Sequence, residues 1–196
     1  MHPQNHQQII KDLDWGDQAV FLEINRRQFK CEKCKKPFSE ELKFVRKRRS
    51  YTKRLATKTI EEVLADDIRS VAKRGKVTEK EIERMLKDAA EDLSKVKPIG
   101  LKRLGIDEIA LIKGQGKYCA VLIDIDRSKL LMIVEGRTKE EVKKVLLEWG
   151  SEVLEGIEEV SIDLWKGYKS LAIEMMPNAQ IVADRFHVMA QINKEL

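Results

Sequence analysis

Three patterns of apolar and polar positions succeed one another along the chain. Over residues 19–30 (AVFLEINRRQFK) the positions Val20, Leu22 and Ile24 alternate with Phe21, Glu23 and Asn25, and the run leads directly into Cys31-Glu32-Lys33-Cys34. Period-two alternation belongs to a half-buried strand, so this segment predicts a β-hairpin ending in a small metal knuckle. From Tyr51 to about Leu93 the period becomes helical, at Leu55, Ile60, Val63 and Leu64, then Ile68 and Val71, then Ile82, Met85, Leu86, Ala89, Ala90 and Leu93. Three successive helices are predicted. Gly75 marks the turn before the third, which Thr78 and Glu81 open as a capping box. A short helix, a glycine turn and a longer helix have helix-turn-helix spacing, with a plain three-helix packing unit as the other reading. The third helix starts with Glu79, Glu81 and Glu83 beside Lys80, Arg84 and Lys87, and carboxylates facing phosphates weaken binding, so base reading by that helix stays open.

Pro98 and Gly100 close the helical region and a βββαβαβα pattern begins. Strands are predicted at Arg103–Ile112, Tyr118–Ile125 and Leu130–Glu135, with links at Gly114–Gly116 and Asp126–Ser128 short enough for antiparallel hairpins. Thr138 and Glu141 form a second capping box, for a helix through Trp149 that Gly150 stops. A strand at Glu159–Leu164, a short helix over about Lys166–Glu174, a strand at Gln180–Asp184 and a helix from Phe186 onward complete the pattern. The fold class is α/β: a mixed sheet with helices on its faces, preceded by a small metal-binding hairpin and a helical region. The expected domains are 1–45, 46–98 and 99–196.

Composition narrows the partners. The 196 residues carry 38 Lys+Arg against 33 Asp+Glu, but residues 26–54 alone hold 13 basic residues (Arg26, Arg27, Lys30, Lys33, Lys35, Lys36, Lys43, Arg46, Lys47, Arg48, Arg49, Lys53, Arg54) against Glu32, Glu40 and Glu41. A polyanion is the natural partner of such a stretch, and a solvated basic face is the bland alternative. Phe29, Phe38, Phe44 and Tyr51 lie inside it, which fits a folded platform better than a tail. No run reaches the roughly 18 apolar residues of a membrane span, and the first residues resemble no export signal, so a cytosolic protein is expected. Three cysteines fit reduced thiols better than a disulfide scaffold. Cys31 and Cys34 have the reach of half a tetrahedral zinc site; His2 and His6 lie upstream without matching company, and Cys119 falls in an apolar strand.

Two carboxylates stand where strands rarely carry them. Asp107 interrupts LGIDEIALI and Asp163 ends EVSIDL, while Glu108 must face away from Asp107. An ionised group in a strand needs a partner or a cation, and ligands of α/β sheets gather at the carboxyl ends of parallel strands. Neighbouring aspartates could hold two divalent cations for phosphodiester chemistry, though an aspartate after a strand is often only a cap. Asp184, in Asp184-Arg185-Phe186-His187, could cap the terminal helix or join the site.

The segments NRRQFKCEKCKKPFSE, RRSYTKRLA, LKRLGIDEIALIKGQGKY, EEVSIDLWKGYKSL and PNAQIVADRFHVM, in this order, resemble bacterial insertion-sequence transposases of the ISL-three type. That DDE family has a zinc finger, a helix-turn-helix and a ribonuclease H-like core, and the resemblance covers nearly the whole chain. It implies Asp107 and Asp163 as the first two acids of the catalytic triad, with Asp184 and His187 in a hallmark segment close by. It also implies Mg²⁺ or Mn²⁺ as cofactor, Zn²⁺ at Cys31 and Cys34, element-end and target DNA as partners, self-association on DNA, and a nucleoid-associated location. Two departures are expected to matter. Relatives carry an upstream cysteine pair that completes the zinc finger and a catalytic glutamate well downstream, so this chain is expected to hold half a zinc site and to lack the third acid. The rival functions are a DNA-binding protein without catalysis and a nuclease on the same fold.

Overall fold

A strand hidden from the hydrophobic pattern opens the structure. The computed structural model describes residues 4–112, 117–163, 165–185, 189 and 193. Strand β1 (Gln4–Lys11) is polar except at Ile9 and Ile10, and it pairs antiparallel with β2 (Phe21–Lys30) from Gln4↔Gln28 to Lys11↔Phe21. The short β3 (Pro37–Ser39) adds to the other edge of β2, with Phe29 opposite Phe38. The expected hairpin is therefore a three-stranded ribbon. Period-two reasoning found β2, whose exposure alternates along its first half, and missed β1 because backbone pairing needs no apolar side chains. Of its two isoleucines, Ile10 is fully buried and Ile9 faces solvent.

The three predicted helices follow as α1 (Lys53–Ala65), α2 (Ile68–Gly75) and α3 (Glu79–Leu93). Thr52 caps α1, its Oγ1 accepting from the Leu55 amide, and Asp67 caps α2 from the Ser70 amide. The Thr78–Glu81 capping box is present in both directions, Glu81 N donating to Thr78 Oγ1 and Thr78 N to Glu81 Oε2. Leu55, Ile60, Val63, Ile68, Val71, Ile82 and Met85 are buried, as the helical period requires. The turn between α2 and α3 differs from expectation in one detail. Gly75 ends the helix, and Lys76 takes the left-handed conformation at φ +48°. Its ammonium donates to the Asp17 carbonyl at 2.9 Å, a contact from the β1–β2 turn that holds a strained residue in place.

The ribbon, α1, α2 and the first half of α3 form one compact unit, residues 1–85, and its joint is chemical as well as apolar. Lys11 N donates to Ser50 O at 2.8 Å and Thr52 N to Lys11 O at 2.9 Å, so the end of β1 pairs with the chain entering α1. Directly beyond, Asp12 is 1% exposed and accepts from Thr52 Oγ1 at 2.8 Å and from Arg54 Nε at 2.7 Å, with the second Arg54 nitrogen on its other oxygen. The Lys11 ammonium lies on the last carbonyls of α2, Gly75 O at 2.5 Å and Lys76 O at 2.6 Å, where the helix dipole favours a cation.

Residues 86–196 form the second unit. Strands β4 (Arg103–Ile112), β5 (Lys117–Asp124) and β6 (Lys129–Glu135) make an antiparallel meander, followed by α4 (Lys139–Trp149), α5 (Ser151–Glu155), β7 (Glu159–Ile162), α6 (Lys166–Met175) and β8 (Gln180–Ala183). The sheet order is β6-β5-β4-β7-β8, with β7 parallel to both β4 and β8. This is the ribonuclease H-like mixed sheet that the resemblance implies. One face presents Leu104, Ile106, Ala120, Leu122, Met132, Val134, Val160 and Ile162 to Val142, Leu146 and Trp149 of α4 and Tyr168, Leu171 and Ala172 of α6. Helix α5 was not foreseen: Gly150, at φ +91°, ends α4 as expected but lets the chain start a new turn that buries Leu154. The predicted helix from Phe186 onward lies mostly outside the described residues.

Arg54 beside Asp12 holds that carboxyl well below the usual carboxylate range, with the Thr52 hydroxyl adding to the effect. A depressed folded pKa contributes stability that is present above the unfolded value, about pH 4, and lost as pH falls below it. Arg54 is 68% exposed, so solvent screens part of the interaction. Asp12→Asn should therefore cost about 1–3 kcal/mol at pH 7 and show a shallower loss of melting temperature than the parent between pH 4 and pH 3, measured by circular dichroism.

Candidate functional site

The sheet register brings the predicted acids into one row. Ile106, Ile162 and Ala183 are level across β4, β7 and β8, so the next residues are level too, Asp107 midway along β4 and Asp163 and Asp184 directly after β7 and β8. Adjacent strands lie about 4.8 Å apart, and level residues on them share a face. Ile106 and Ile162 point into the core under α4 and α6, which puts the aspartates on the opposite face. Asp107 is exposed and its Oδ1 accepts from the Glu108 amide at 2.8 Å; Asp163 is half-buried and its Oδ1 accepts from the Trp165 amide at 2.9 Å. The Asp184 amide continues the ladder, donating to Ile162 O at 2.7 Å.

Oxygen donors on adjacent strands suit a hard divalent cation, and Asp107 and Asp163 fit that role. Among the described residues, no three histidine, cysteine or carboxylate side chains already converge as a ready ligand set. His187, Glu195 and His2 lie outside the described residues.

The edge also carries residues that the sequence did not single out. Trp165 packs its ring edge-on against Tyr168, with centroids 4.7 Å apart, and a Cβ at Gly167 would fall inside the indole. Tyr168 is 0% exposed, and its hydroxyl has no hydrogen-bond partner. It lies close enough to Glu108 for that charge to act with burial in raising the phenol pKa. Glu108 in turn accepts from Arg137 Nη1 at 3.0 Å. A usable signal was the Gly136-Arg137-Thr138 break between a strand and a capping box, which marks a charged residue set by local geometry.

At the other end of the chain the cysteine pair forms a turn. Lys35 N donates to Cys31 O at 3.0 Å, Cys31 N to Lys36 O at 2.9 Å, and Lys35 takes φ +58° to close it. The Cys34 amide and thiol and the Lys33 amide all act on the Cys31 sulfur and lower its pKa. That environment suits a thiolate pair for zinc. Cys119 is buried in β5, the ordinary place for a structural thiol.

The predicted DNA-binding residues divide into two groups. Arg54 is committed to Asp12; Arg26 ties the ribbon to Glu40 O at 2.9 Å and Gln8 Oε1 at 3.3 Å; Arg27 pairs with Glu40 at 2.9 Å. Lys30, Lys43, Lys47, Arg48 and Lys53 are exposed, while Arg46 and Arg49 are half-buried. Lys47 and Arg48 line a groove of about 560 Å³ with Arg26, Phe38 and Leu42, so cationic and aromatic groups share one surface.

Comparison with known proteins follows this layout from end to end. A zinc finger of the transposases of IS204, IS1001, IS1096 and IS1165 matches residues 3–34, the helix-turn-helix domain of transposase family ISL3 matches residues 40–90, and the ISL3 DDE transposase domain matches residues 104–196. The transposase for insertion sequence element IS1001 of Bordetella parapertussis is 28% identical over 193 residues, 95% of this chain and 46% of that protein. The transposase for insertion sequence element IS1557 of Mycobacterium tuberculosis is 32% identical over 96 residues, 49% of this chain and 21% of that protein. The chain thus spans less than half the length of the curated relatives it matches.

Cation binding at the aspartate row has a direct readout. Millimolar Mn²⁺ or Mg²⁺, at several times its dissociation constant, should stabilise the second unit by about 1 kcal/mol and raise its melting temperature by a few degrees. The shift should be absent in Asp163→Asn.

Proposed function

Because the chain belongs to the ISL3 family of insertion-sequence transposases, we propose that it binds the terminal inverted repeats of its element and supplies acids for metal-dependent DNA strand cleavage and transfer. The observation that carries this reading is the level placement of Asp107, Asp163 and Asp184 on three parallel strands. Phosphodiester cleavage needs negative charge offset at the scissile phosphate and an oxygen nucleophile placed in line with the leaving oxygen. Asp107 and Asp163 would hold the divalent ions, with Asp184 beside them as a further acid. Two such ions, when bound, activate the nucleophile and stabilise the leaving oxygen. Backbone amides of Glu108 and Trp165 fix one oxygen of each carboxylate, which limits the rotamers available to them.

DNA binding is assigned to the basic first unit, with Lys43, Lys47, Arg48 and Lys53 as exposed backbone contacts and Arg46 and Arg49 between them. Arg26, Arg27 and Arg54 act chiefly by building the platform. Zinc at Cys31 and Cys34 would stiffen the tip of the ribbon, and two further ligands are needed to close a tetrahedral site. No helix among the described residues is long and apolar enough to cross a membrane. Work at the nucleoid in the cytoplasm, with self-association on DNA, belongs to the same proposal.

Two measurements test it. Mn²⁺-dependent nicking of a duplex carrying the element's ends should depend on Asp107, so that Asp107→Ala falls to background while still binding DNA. Binding with no nicking in the parent would favour the DNA-binding reading, and nicking without strand transfer the nuclease reading. Separately, charge reversal at Arg46, Arg48 and Arg49 should weaken duplex binding by about an order of magnitude or more and lower the log–log salt slope by roughly 0.9 for each phosphate that is no longer neutralised. An unchanged slope would remove this segment from the DNA interface.

A further inference from the structure

The aspartate row has an electrostatic problem. Three carboxylates at one sheet edge repel the polyanion they are to act on, and a cation fixed at the same edge would offset that repulsion. Arg137 follows β6 and pairs with Glu108, on the face of the sheet opposite Asp107 but next to the same end of it. In the sheet β6 runs parallel to β4, so its carboxyl end and residues 136–138 lie at the edge that carries Asp107, with Gly136 bridged to Cys119 level with Ile109.

Several contacts hold this arginine. Its Nη1 donates to Glu108 at 3.0 Å, and its guanidinium carbon lies 4.0 Å from the centre of the Tyr118 ring. The backbone leaves little freedom behind it: Gly136 sits at φ +103°, and a Cβ there would fall inside the Glu141 carboxylate that closes the capping box on Thr138. Behind Glu108 stands the buried Tyr168 hydroxyl, without a hydrogen-bond partner and close enough to feel the Glu108 charge. Yet the Arg137 side chain is 49% exposed, and an ion pair with one partner so exposed adds almost nothing to stability. What such pinning does achieve is to hold a planar fork of N–H donors in one orientation, and a guanidinium has five of them.

We infer that Arg137 contacts the DNA backbone, donating to a non-bridging oxygen of a phosphate as the strand crosses the carboxyl edge of the sheet. Glu108 and the Tyr118 ring are its positioning residues. Glu108, although adjacent to Asp107 in sequence, faces the other side of the sheet and serves the arginine rather than the ion. The inference rests on the reading of this edge as the site of DNA cleavage.

The test uses the whole chain and a fluorescein-labelled 30-base-pair duplex, with binding followed by anisotropy over a range of NaCl concentrations. Arg137→Ala should weaken binding about 3- to 10-fold and lower the salt slope by roughly 0.9, the equivalent of one phosphate. Arg137→Lys should keep most of the slope while losing part of the affinity, because charge survives and the fork does not. Arg127→Ala, at the opposite edge of the sheet, should change neither quantity. An unchanged slope in Arg137→Ala, or an equal change in Arg127→Ala, overturns the inference. Positioning is read from the pair Tyr118→Phe, which keeps the ring and should bind like the parent, and Tyr118→Leu, which should weaken binding about 2- to 5-fold. This pair also decides the matter if Arg137→Ala does not fold, and equal affinities for the two would overturn it. Mn²⁺ binding by electron paramagnetic resonance on the same preparations separates the two levels. Retained Mn²⁺ binding with an unchanged slope in Arg137→Ala refutes only the arginine's role, whereas a parent that binds no Mn²⁺ refutes the reading of the edge itself.

Discussion

The second unit depends on a constraint of register: parallel strands whose inner residues are fully buried have no freedom to slip. Leu104, Ile106, Val160 and Ile162 are all buried in the contact between β4 and β7. A shift of one residue would expose them, at roughly 1.5–3 kcal/mol each, and drive Asp107 and Asp163 into the apolar face. The sum rivals the entire stability of an ordinary domain. Packing on one face of the sheet therefore fixes the spacing of the acids on the other. The aspartates contribute little to that packing, and the α4 and α6 core does the positioning from a distance.

In the first unit the corresponding role falls to a small polar joint. The end of β1 is tied through Asp12 to the start of α1 and through Lys11 to the end of α2. Each group meets an opposite charge or partial charge at a helix end, so two elements with modest cores of their own share one set of contacts. A cost accompanies this arrangement. Arg54, part of the most basic stretch of the sequence, has its guanidinium engaged on both oxygens of Asp12.

Elements with strong periodicity were legible in the sequence, and so was their order. The capping boxes at Thr78 and Thr138 located helix starts because their partner glutamates sit three residues on, a spacing with a geometric cause. Asp107 and Asp163 stood out for the same kind of reason, since a carboxylate inside or at the end of an apolar strand requires explanation. What stayed hidden depended on partners remote in sequence. Strand β1 pairs through its backbone and shows no pattern. The left-handed residue of the helix-turn-helix is Lys76 rather than the neighbouring Gly75, because a contact from Asp17 compensates its strain. Strand alternation turned Glu108 away from Asp107 but gave it no partner, and only the sheet shows that it pairs with Arg137, 29 residues away. Likewise, charge counting treated the arginines of residues 26–54 alike, whereas three of them are spent on Glu40, Gln8 and Asp12.

The joint at Asp12 and Lys11 also bears on how a nucleic acid could be read. The ribbon, α1, α2 and α3 as far as Met85 belong to one compact unit, so the groove at Lys47 and Arg48 and the first turns of α3 keep a fixed separation and a fixed angle. For a duplex lying along both, that rigidity translates into helical phase: the two contacts must meet the same rotational setting of the double helix. Each base pair inserted between their footprints turns one of them by about a tenth of a revolution, since B-form DNA repeats about every 10.5 base pairs. Inserting about half a helical turn would put the two footprints on opposite sides of the DNA, where a rigid reader reaches only one.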